Sequence, residues 1–425
     1  MLPLAETVMV SYLQVLMKRL RSVIWYLILF APLVSLAQID PVKRDLIQIG
    51  YNGAFEGRQP FSGYAFYYHN EPDFLKETNL TLRLAISPTY TDNELGIANA
   101  LGPNTDIGIG VAGGAFADSY NEFEDGTYIP QQSFDGFGGE GSMALYHLFD
   151  PGRLIPLYLV VRGTVHYSTY DKGSDTASDF QLPNDHFDGS IRAGLRFGGV
   201  EPTLFPSLAM ELSIWYEGDW RSAPGSYGFA SDPYQLNPQS QLFWSEAALS
   251  YTFHNHQNFY VRVTAGTSID ADRFSAYRLG AFLPLVAEFP LSLPGFYYQE
   301  ISARQFVLLN ANYIIPLDKS NRWDLAFNAS TAVVDYLPGT GQPGNSLTGV
   351  AGGIMWHSKE DHWKIIVDYA RGINAVRDNG QERGSNSIGV LLQVDLGSPG
   401  KLFHLTEPSL WQGFQRMLDL RPFND

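Results

Sequence analysis

The sequence contains no cysteine. Disulfide bonds, thiolate metal sites and cysteine nucleophiles are therefore excluded. Common catalytic patterns are missing as well: there is no Gly-x-Ser-x-Gly elbow, no His-Glu-x-x-His pair and no phosphate-binding glycine loop. His254 and His256 stand two residues apart with no third ligand close in sequence, which favours a solvated turn over a metal site. We expect no enzymatic activity, no cofactor and no bound metal.

Basic residues are scarce, with 28 Lys and Arg against 44 Asp and Glu. The resulting net charge of −16 argues against nucleic acid as a partner, because phosphate backbones attract basic surfaces. Residues 121–126 form an acidic run that could bind a divalent cation, but we interpret it as a solvated loop.

Long apolar runs are also rare. The clearest spans residues 23–30, follows three basic residues and ends before the small residues Ser35 and Ala37. Because Pro32 keeps it short of the roughly 20 residues that a spanning helix needs, we predict a signal peptide over residues 1–37. Met17 begins a conventional signal sequence by itself, so residues 1–16 are consistent with a start codon assigned too early. No similar run follows, so any membrane crossing must use strands.

Beyond residue 45, segments of roughly ten residues alternate apolar and polar side chains. Leu157–Ser168 is an example, since its odd-numbered positions are mostly aliphatic and its even-numbered positions include Arg162 and His166. Sixteen such segments are joined by longer connections after odd strands and mostly by tight turns after even strands. This pattern predicts an all-β fold over residues 38–397: a sixteen-stranded antiparallel transmembrane β-barrel with long extracellular loops in a bacterial outer membrane.

A soluble β-sandwich or a two-domain β protein would also show alternation. Two features favour the barrel. The apolar faces end in aromatic residues, as a membrane-interface girdle does: Tyr167, Tyr216, Tyr313, Trp323, Trp363 and Tyr369. The opposite faces carry charges that a soluble core could not hold but a wide barrel interior can: Arg162, Glu211, Arg262, Lys364 and Asp368.

The connection after the eleventh predicted strand is long and contains four Phe residues. It contains residues 272–282 and the tetrad Leu293, Pro294, Gly295 and Phe296, and the next strand covers residues 306–316. This region resembles the loop-six region and twelfth strand of the bacterial surface antigen barrels, the BamA/TamA-like superfamily that inserts or exports proteins. The resemblance implies that residues 270–300 tuck into the lumen as a plug, facing Asn312 and Asn328 on the barrel wall.

The chain departs from the family pattern at the residues that pin this loop. Pro294 stands where the family has an Arg, and Asn312 and Asn328 stand where it has acidic groups. Losing both charges together is physically consistent, because a partly buried carboxylate without its Arg is costly. We therefore expect packing to hold the loop, through Phe282, Phe289, Phe296 and Tyr297. Only about eight residues separate the cleavage site from the first strand, so we expect a barrel-only member without POTRA domains.

The two ends of the predicted barrel meet at a seam between residues 47–54 and 388–396. The seam contains Gly50, Gly53 and Gly389, which predicts weak pairing that could open sideways. Residues 398–425 form a short C-terminal tail with apolar residues at helical spacing: Leu410, Trp411, Phe414, Met417 and Leu418. We predict a periplasmic, partly helical, amphipathic tail that either packs under the barrel or lies on the inner leaflet.

These observations favour a barrel that acts in membrane transport or in outer-membrane protein biogenesis and export. Its expected partners are outer-membrane lipid and a periplasmic or export protein. The alternative is a passive, porin-like diffusion channel whose loop only narrows the lumen. An outer-membrane enzyme is the least favoured hypothesis, since no nucleophile–base pair is evident.

Overall fold

The computed structural model describes residues 43–151, 155–198, 209–253, 255–281, 290–320, 322–358, 362–378 and 380–396. The predicted signal peptide (residues 1–37) and the predicted tail (residues 398–425) lie outside these residues. Among the residues described, no helix is long and apolar enough to cross a membrane.

Sixteen antiparallel strands form a closed barrel, which confirms the predicted fold. They are β1 (Arg44–Ala54), β2 (Gly63–Pro72), β3 (Leu80–Ile86), β4 (Tyr90–Ile97), β5 (Thr105–Gly114), β6 (Asp135–Phe149), β7 (Leu157–Asp171), β8 (His186–Gly198), β9 (Ala209–Arg221), β10 (Gln239–Thr252), β11 (Asn258–Ile269), β12 (Ile301–Pro316), β13 (Trp323–Tyr336), β14 (Ser346–His357), β15 (Trp363–Arg377) and β16 (Glu382–Asp395). Each strand pairs with the next, and β16 pairs with β1. The β1–β16 pairing closes the sheet and leaves no unpaired strand edge there. A lipid environment requires this, because it offers no water to bond to free backbone groups.

Alternating side chains separate the two faces of the wall. In β7, Val165 is 61% exposed and faces outward, whereas Val160 and Ser168 are buried on the inner face. Because successive side chains in a strand point to opposite sides, the other strands repeat this division. The outer belt is therefore apolar, as the lipid-facing surface of a transmembrane β-barrel is.

The connections differ in length at the two ends of the barrel. The loops after β5, β7, β9 and β11 are long and cover residues 115–134, 172–185, 222–238 and 270–300, whereas two connections at the same end are short, at residues 87–89 and 378–381. The loops contain two small hairpins (Phe123–Glu124 with Thr127–Tyr128, and Ser226–Phe229 with Asp232–Gln235), the short strand Tyr277–Leu279 and the 3-10 turn Pro130–Gln132. At the opposite end the 3-10 turn Phe74–Lys76 lies between β2 and β3.

The long loops meet in an aromatic cluster that we call the loop dome. Its buried members are Tyr120, Phe134, Tyr170, Phe180, Tyr227 and Leu236. Phe274, from the loop after β11, has its ring centroid within 5.4–6.0 Å of four of these rings. Aromatic rings at such distances attract one another, so this loop is held against the loops after β5 and β9 and against the end of β7.

Ion pairs reinforce the loop dome. Arg221 at the end of β9 donates to Asp272 at 2.6 Å, and Arg273 donates to Glu122 at 3.0 Å. Glu122 is only 3% exposed. Because Glu122 is buried, the interpretation of residues 121–126 as a simple solvated loop is wrong at this residue. The Arg273 side chain, from another loop, compensates the cost of burying the carboxylate.

Candidate functional site

The loop after β11 returns to the inner wall through residues 290–300, which we call the plug segment. Within it Leu293, Phe296 and Tyr297 are between 0% and 1% exposed. Leu293 and Phe296 belong to an apolar cluster with inward side chains of the barrel, which include Tyr146, Trp215, Trp244, Phe306, Leu308 and Val334. Phe282 and Phe289, which were also predicted to pack here, lie outside the described residues.

Two glycine contacts let the plug segment lie backbone to backbone against the wall. Gly295 has φ +79°, and a Cβ built on it would lie 1.9 Å from the backbone nitrogen of Gly372 on β15. From the wall side, a Cβ on Gly349 of β14 would lie 2.1 Å from the carbonyl oxygen of Pro294. Any side chain at these positions would therefore force the segment away from the wall.

A buried ion pair joins the C-terminal end of the plug segment to β15. Arg377 Nη1 donates to Glu300 Oε1 at 2.9 Å, and each residue is 2% exposed. The second oxygen of Glu300 accepts the backbone N–H of Tyr297 at 2.7 Å, and Gln342 also donates to Oε1. Arg377 Nε donates to Ser385 Oγ at 3.1 Å. Because both charges are paired and further hydrogen-bonded, the pair can tolerate burial.

Tyr297 extends this contact to the top of the seam. The Arg377 guanidinium carbon lies 3.7 Å from the centre of the Tyr297 ring, a cation–π distance. Burial raises the pKa of the Tyr297 phenol, with Arg377 opposing, so the hydroxyl stays neutral and donates to the Glu56 carbonyl at 2.7 Å. The Glu56 carboxylate in turn accepts from the backbone and side-chain N–H groups of Asn386 on β16. The plug segment is thus connected, through the β1–β2 loop, to β16 of the seam.

This arrangement differs from the one that the family resemblance implies. There an Arg on the loop meets acids on the wall, whereas here the loop carries Glu300 and the wall carries Arg377. Packing of the buried Phe296 and Tyr297 is therefore joined by a charge-assisted contact in which the charges are exchanged.

The two predicted wall positions bond to each other across β12 and β13. Asn328 Nδ2 donates to Asn312 Oδ1 at 2.5 Å. Contact with the plug backbone comes from Asn310, one inward position away, whose Nδ2 donates to the Ser292 carbonyl at 2.8 Å. The role of Asn312 and Asn328 in facing the loop stays a prediction.

Glu300 and Arg377 were not recognised as a pair from the sequence. The two residues are 77 positions apart, and Arg377 ends β15, whose last residues show no clear alternation of apolar and polar side chains. The one signal in the sequence is the charge of Glu300 at the end of the otherwise uncharged plug segment.

The seam itself is continuously paired. The register extends from Leu46 opposite Asp395 to Ala54 opposite Ser387. The glycines there make room for neighbouring side chains: a Cβ on Gly50 would meet the Tyr64 ring at 2.4 Å. Likewise, a Cβ on Gly389 would meet the Asp368 carboxylate, and one on Gly53 the ring of Tyr51. Sideways opening of the seam stays a prediction.

A cysteine pair would test the closed seam. Gln48 and Gln393 are register partners with buried, hydrogen-bonded side chains, and opposed Cα atoms in antiparallel strands lie about 4.5–5.5 Å apart, within disulfide range. Since the chain has no other cysteine, Gln48→Cys with Gln393→Cys should cross-link on mild oxidation and shift its mobility on a denaturing gel. Each single variant is the control. Free thiols that react with a maleimide yet never cross-link would contradict the closed register.

Arg–Glu pairs line the rest of the lumen along β4 to β11. The pairs are Arg162 with Glu94 at 2.5 Å, Arg192 with Glu217 at 2.6 Å, Arg196 with Glu211 at 3.1 Å and Arg262 with Glu246 at 3.4 Å. Alternating signs leave no large field of one sign along this wall. Within the described ranges, no group of three His, Asp or Glu side chains is arranged to hold a metal.

Solved outer-membrane barrels have a similar fold. BamA from Haemophilus ducreyi lacking POTRA domains 1–3 is 12% identical, with a TM-score of 0.50, over 83% of this chain and 70% of that chain. CdiB from Acinetobacter baumannii is 9% identical with a TM-score of 0.51, and CdiB from Escherichia coli is 13% identical with a TM-score of 0.55. Both CdiB matches cover 83% of this chain, and 60% and 63% of those chains. No protein-family model and no curated protein matches the sequence.

The chain shares the barrel fold of BamA and CdiB. The predicted resemblance is thereby confirmed for the sixteen-stranded barrel. At 9–13% identity, a BamA-like fold carries no information about cargo or partners.

Proposed function

We propose that this BamA-like barrel acts in membrane transport or in the assembly and export of proteins, without enzymatic activity, with residues 270–300 as a gating plug. The observation that carries the proposal is the buried Arg377–Glu300 pair, which fixes the plug segment to the inner wall. Removing two charged groups from water is costly unless they are held together as a pair. A loop that merely narrowed a pore would not need such a buried pair. Residues 1–37, as a signal peptide, would deliver the barrel to the outer membrane.

The plug and the seam would work together in this function. Tyr297 donates to the carbonyl of Glu56 in the β1–β2 loop, and the Glu56 carboxylate accepts from Asn386 of β16. Displacement of the plug segment would remove the bond from Tyr297 and so weaken the support of Glu56 at the seam. Cargo entering the lumen would therefore loosen plug and seam in one step. A periplasmic or export protein is the proposed partner that delivers such cargo, and outer-membrane lipid surrounds the wall.

A passive diffusion channel is the second candidate. The Arg–Glu pairs along β4 to β11 favour it, since they make that part of the lumen polar without selecting one ion sign.

Single-channel conductance of the refolded barrel in a planar bilayer separates the two functions. We expect the wild type to be silent or flickering, and a variant with residues 290–296 replaced by a Gly-Ser linker of equal length to form a steady, large pore. Replacing the turn at residues 98–104 in the same way is the matched control and should leave the wild-type behaviour unchanged. A steady pore of equal size in all three proteins would reject the plug and leave the diffusion channel.

A further inference from the structure

The outer wall carries a concavity of about 980 Å³ that crosses β7 to β13. Most of its lining residues belong to two adjacent rows of outward side chains. In the row nearer the loops, Tyr216 is the register partner of Phe243, Phe243 of Thr267, and Thr267 of Gln305. We call this concavity the wall groove.

The second row continues the wall groove on the side away from the loops. Ile214, Ser245, Ala265, Val307 and Val333 follow one another across successive strands. Ile214, Val307 and Val333 are between 51% and 56% exposed, which places this row on the lipid-facing surface. Small side chains thus lie between large apolar ones, so the wall groove is a depression in the membrane-facing belt.

Packing inside the barrel fixes the floor of the wall groove. A Cβ on Gly194 would meet the Trp215 ring at 2.3 Å, and one on Gly266 would meet the rings of Phe306 and Tyr277 at 2.5 and 2.9 Å. The Tyr277 hydroxyl donates from the lumen to the carbonyls of Phe243 and Thr267, at 3.0 and 3.2 Å. Rings pressed against glycine backbone, together with a hydroxyl bonded to two neighbouring backbone carbonyls, make this part of the wall rigid, so the depression is preformed.

The loop-side end of the wall groove is polar. Arg304 Nε donates to Asp335 Oδ2 at 2.7 Å, and the two side chains are 51% and 45% exposed. Gln305 and Asn345 line the same end. Asp335 is itself a lining residue, so the half-exposed guanidinium of Arg304 lies beside the loop-side end of the wall groove.

We propose that the wall groove binds a phosphorylated glycolipid of the outer leaflet, with an acyl chain in the depression and a phosphate at Arg304. An acyl chain gains packing contacts in a preformed concavity that a flat wall does not offer. Arg is suited to phosphate because its planar guanidinium presents several donors in a fork. The position of the charge at the loop-side end assigns the site to the outer leaflet.

Lipid titration of the intact barrel in detergent, followed by native mass spectrometry, tests this site. The probe is diphosphoryl lipid A, compared with its fully dephosphorylated form and with phosphatidylethanolamine. We expect Arg304→Gln to weaken lipid A binding about fivefold, as removal of one cation at a membrane surface does. Ala265→Trp, which fills the depression, should weaken it about tenfold, equivalent to about 1.4 kcal/mol.

Two matched variants control for general effects. Arg58→Gln removes another exposed cation, paired with Asp175 in the loops, and Ala247→Trp enlarges an outward residue of β10 away from the wall groove. Both should bind lipid A within twofold of the wild type, and all variants should keep the heat-dependent gel migration of a folded barrel. Equal binding by all four variants, or lipid A binding no tighter than that of phosphatidylethanolamine or the dephosphorylated form, would overturn the proposal.

Discussion

Arg377→Met should release the plug segment from the wall. Removing one partner of a buried ion pair leaves the other charge uncompensated and costs about 3–5 kcal/mol. Here the abandoned group is Glu300, which is 2% exposed. Its carboxylate would seek water by leaving the wall, and the docked population should fall more than about 100-fold, at 1.4 kcal/mol for each factor of ten.

A cysteine reporter measures this release. Because the chain has no cysteine, Ser292→Cys places a single thiol in the plug segment, and its labelling rate by a membrane-impermeant maleimide follows undocking. We expect labelling to accelerate about 100-fold in Arg377→Met, with longer openings in a planar bilayer. Arg304→Met, which breaks the half-exposed pair with Asp335, is the control and should change the rate less than about fivefold, since exposed pairs contribute about 0–1 kcal/mol.

The partner variant distinguishes loss of pairing from loss of size. In Glu300→Gln the side chain still accepts the Tyr297 N–H but carries no charge, so Arg377→Met combined with Glu300→Gln should label more slowly than Arg377→Met alone. Additive effects of the two substitutions would show that the ion pair does not couple the plug segment to the wall.

The barrel could be predicted because its signal is local and repeated. Each strand alternates apolar and polar residues along its own length, as Leu157–Ser168 does, and the membrane requires that alternation in every strand. Strand number and the place of the long loop after β11 follow from the same repeat.

The Glu300–Arg377 pair and the loop dome could not be predicted in this way. The Glu300–Arg377 contact depends on the path of one loop inside the closed barrel, and no periodicity connects two positions 77 residues apart. Phe274 is similar, since its ring contacts come from two other loops and from the end of β7. The family pattern directed attention to Asn312 and Asn328, whereas the contacting amide is Asn310 on the same inward face.

Gly295→Ala should displace the plug segment without changing any charge. Two costs add at this position. The left-handed backbone at φ +79° disfavours a Cβ by about 1–2 kcal/mol, and the new atom would overlap the Gly372 backbone, for which overpacking costs about 1–3 kcal/mol. Maleimide labelling at Ser292→Cys should therefore rise about tenfold or more.

Two other glycines separate these costs. Gly344 has φ +91° with nothing within 4 Å of a built Cβ, so Gly344→Ala carries the backbone cost alone and should leave labelling nearly unchanged. Gly349→Ala carries only the contact with the Pro294 carbonyl, approached from the wall, and should accelerate labelling as Gly295→Ala does. If Gly349→Ala is labelled like the wild type while Gly295→Ala is labelled fast, the close approach to the wall is not what positions the plug segment. The requirement for a left-handed backbone at Gly295 would then explain the effect of Gly295→Ala.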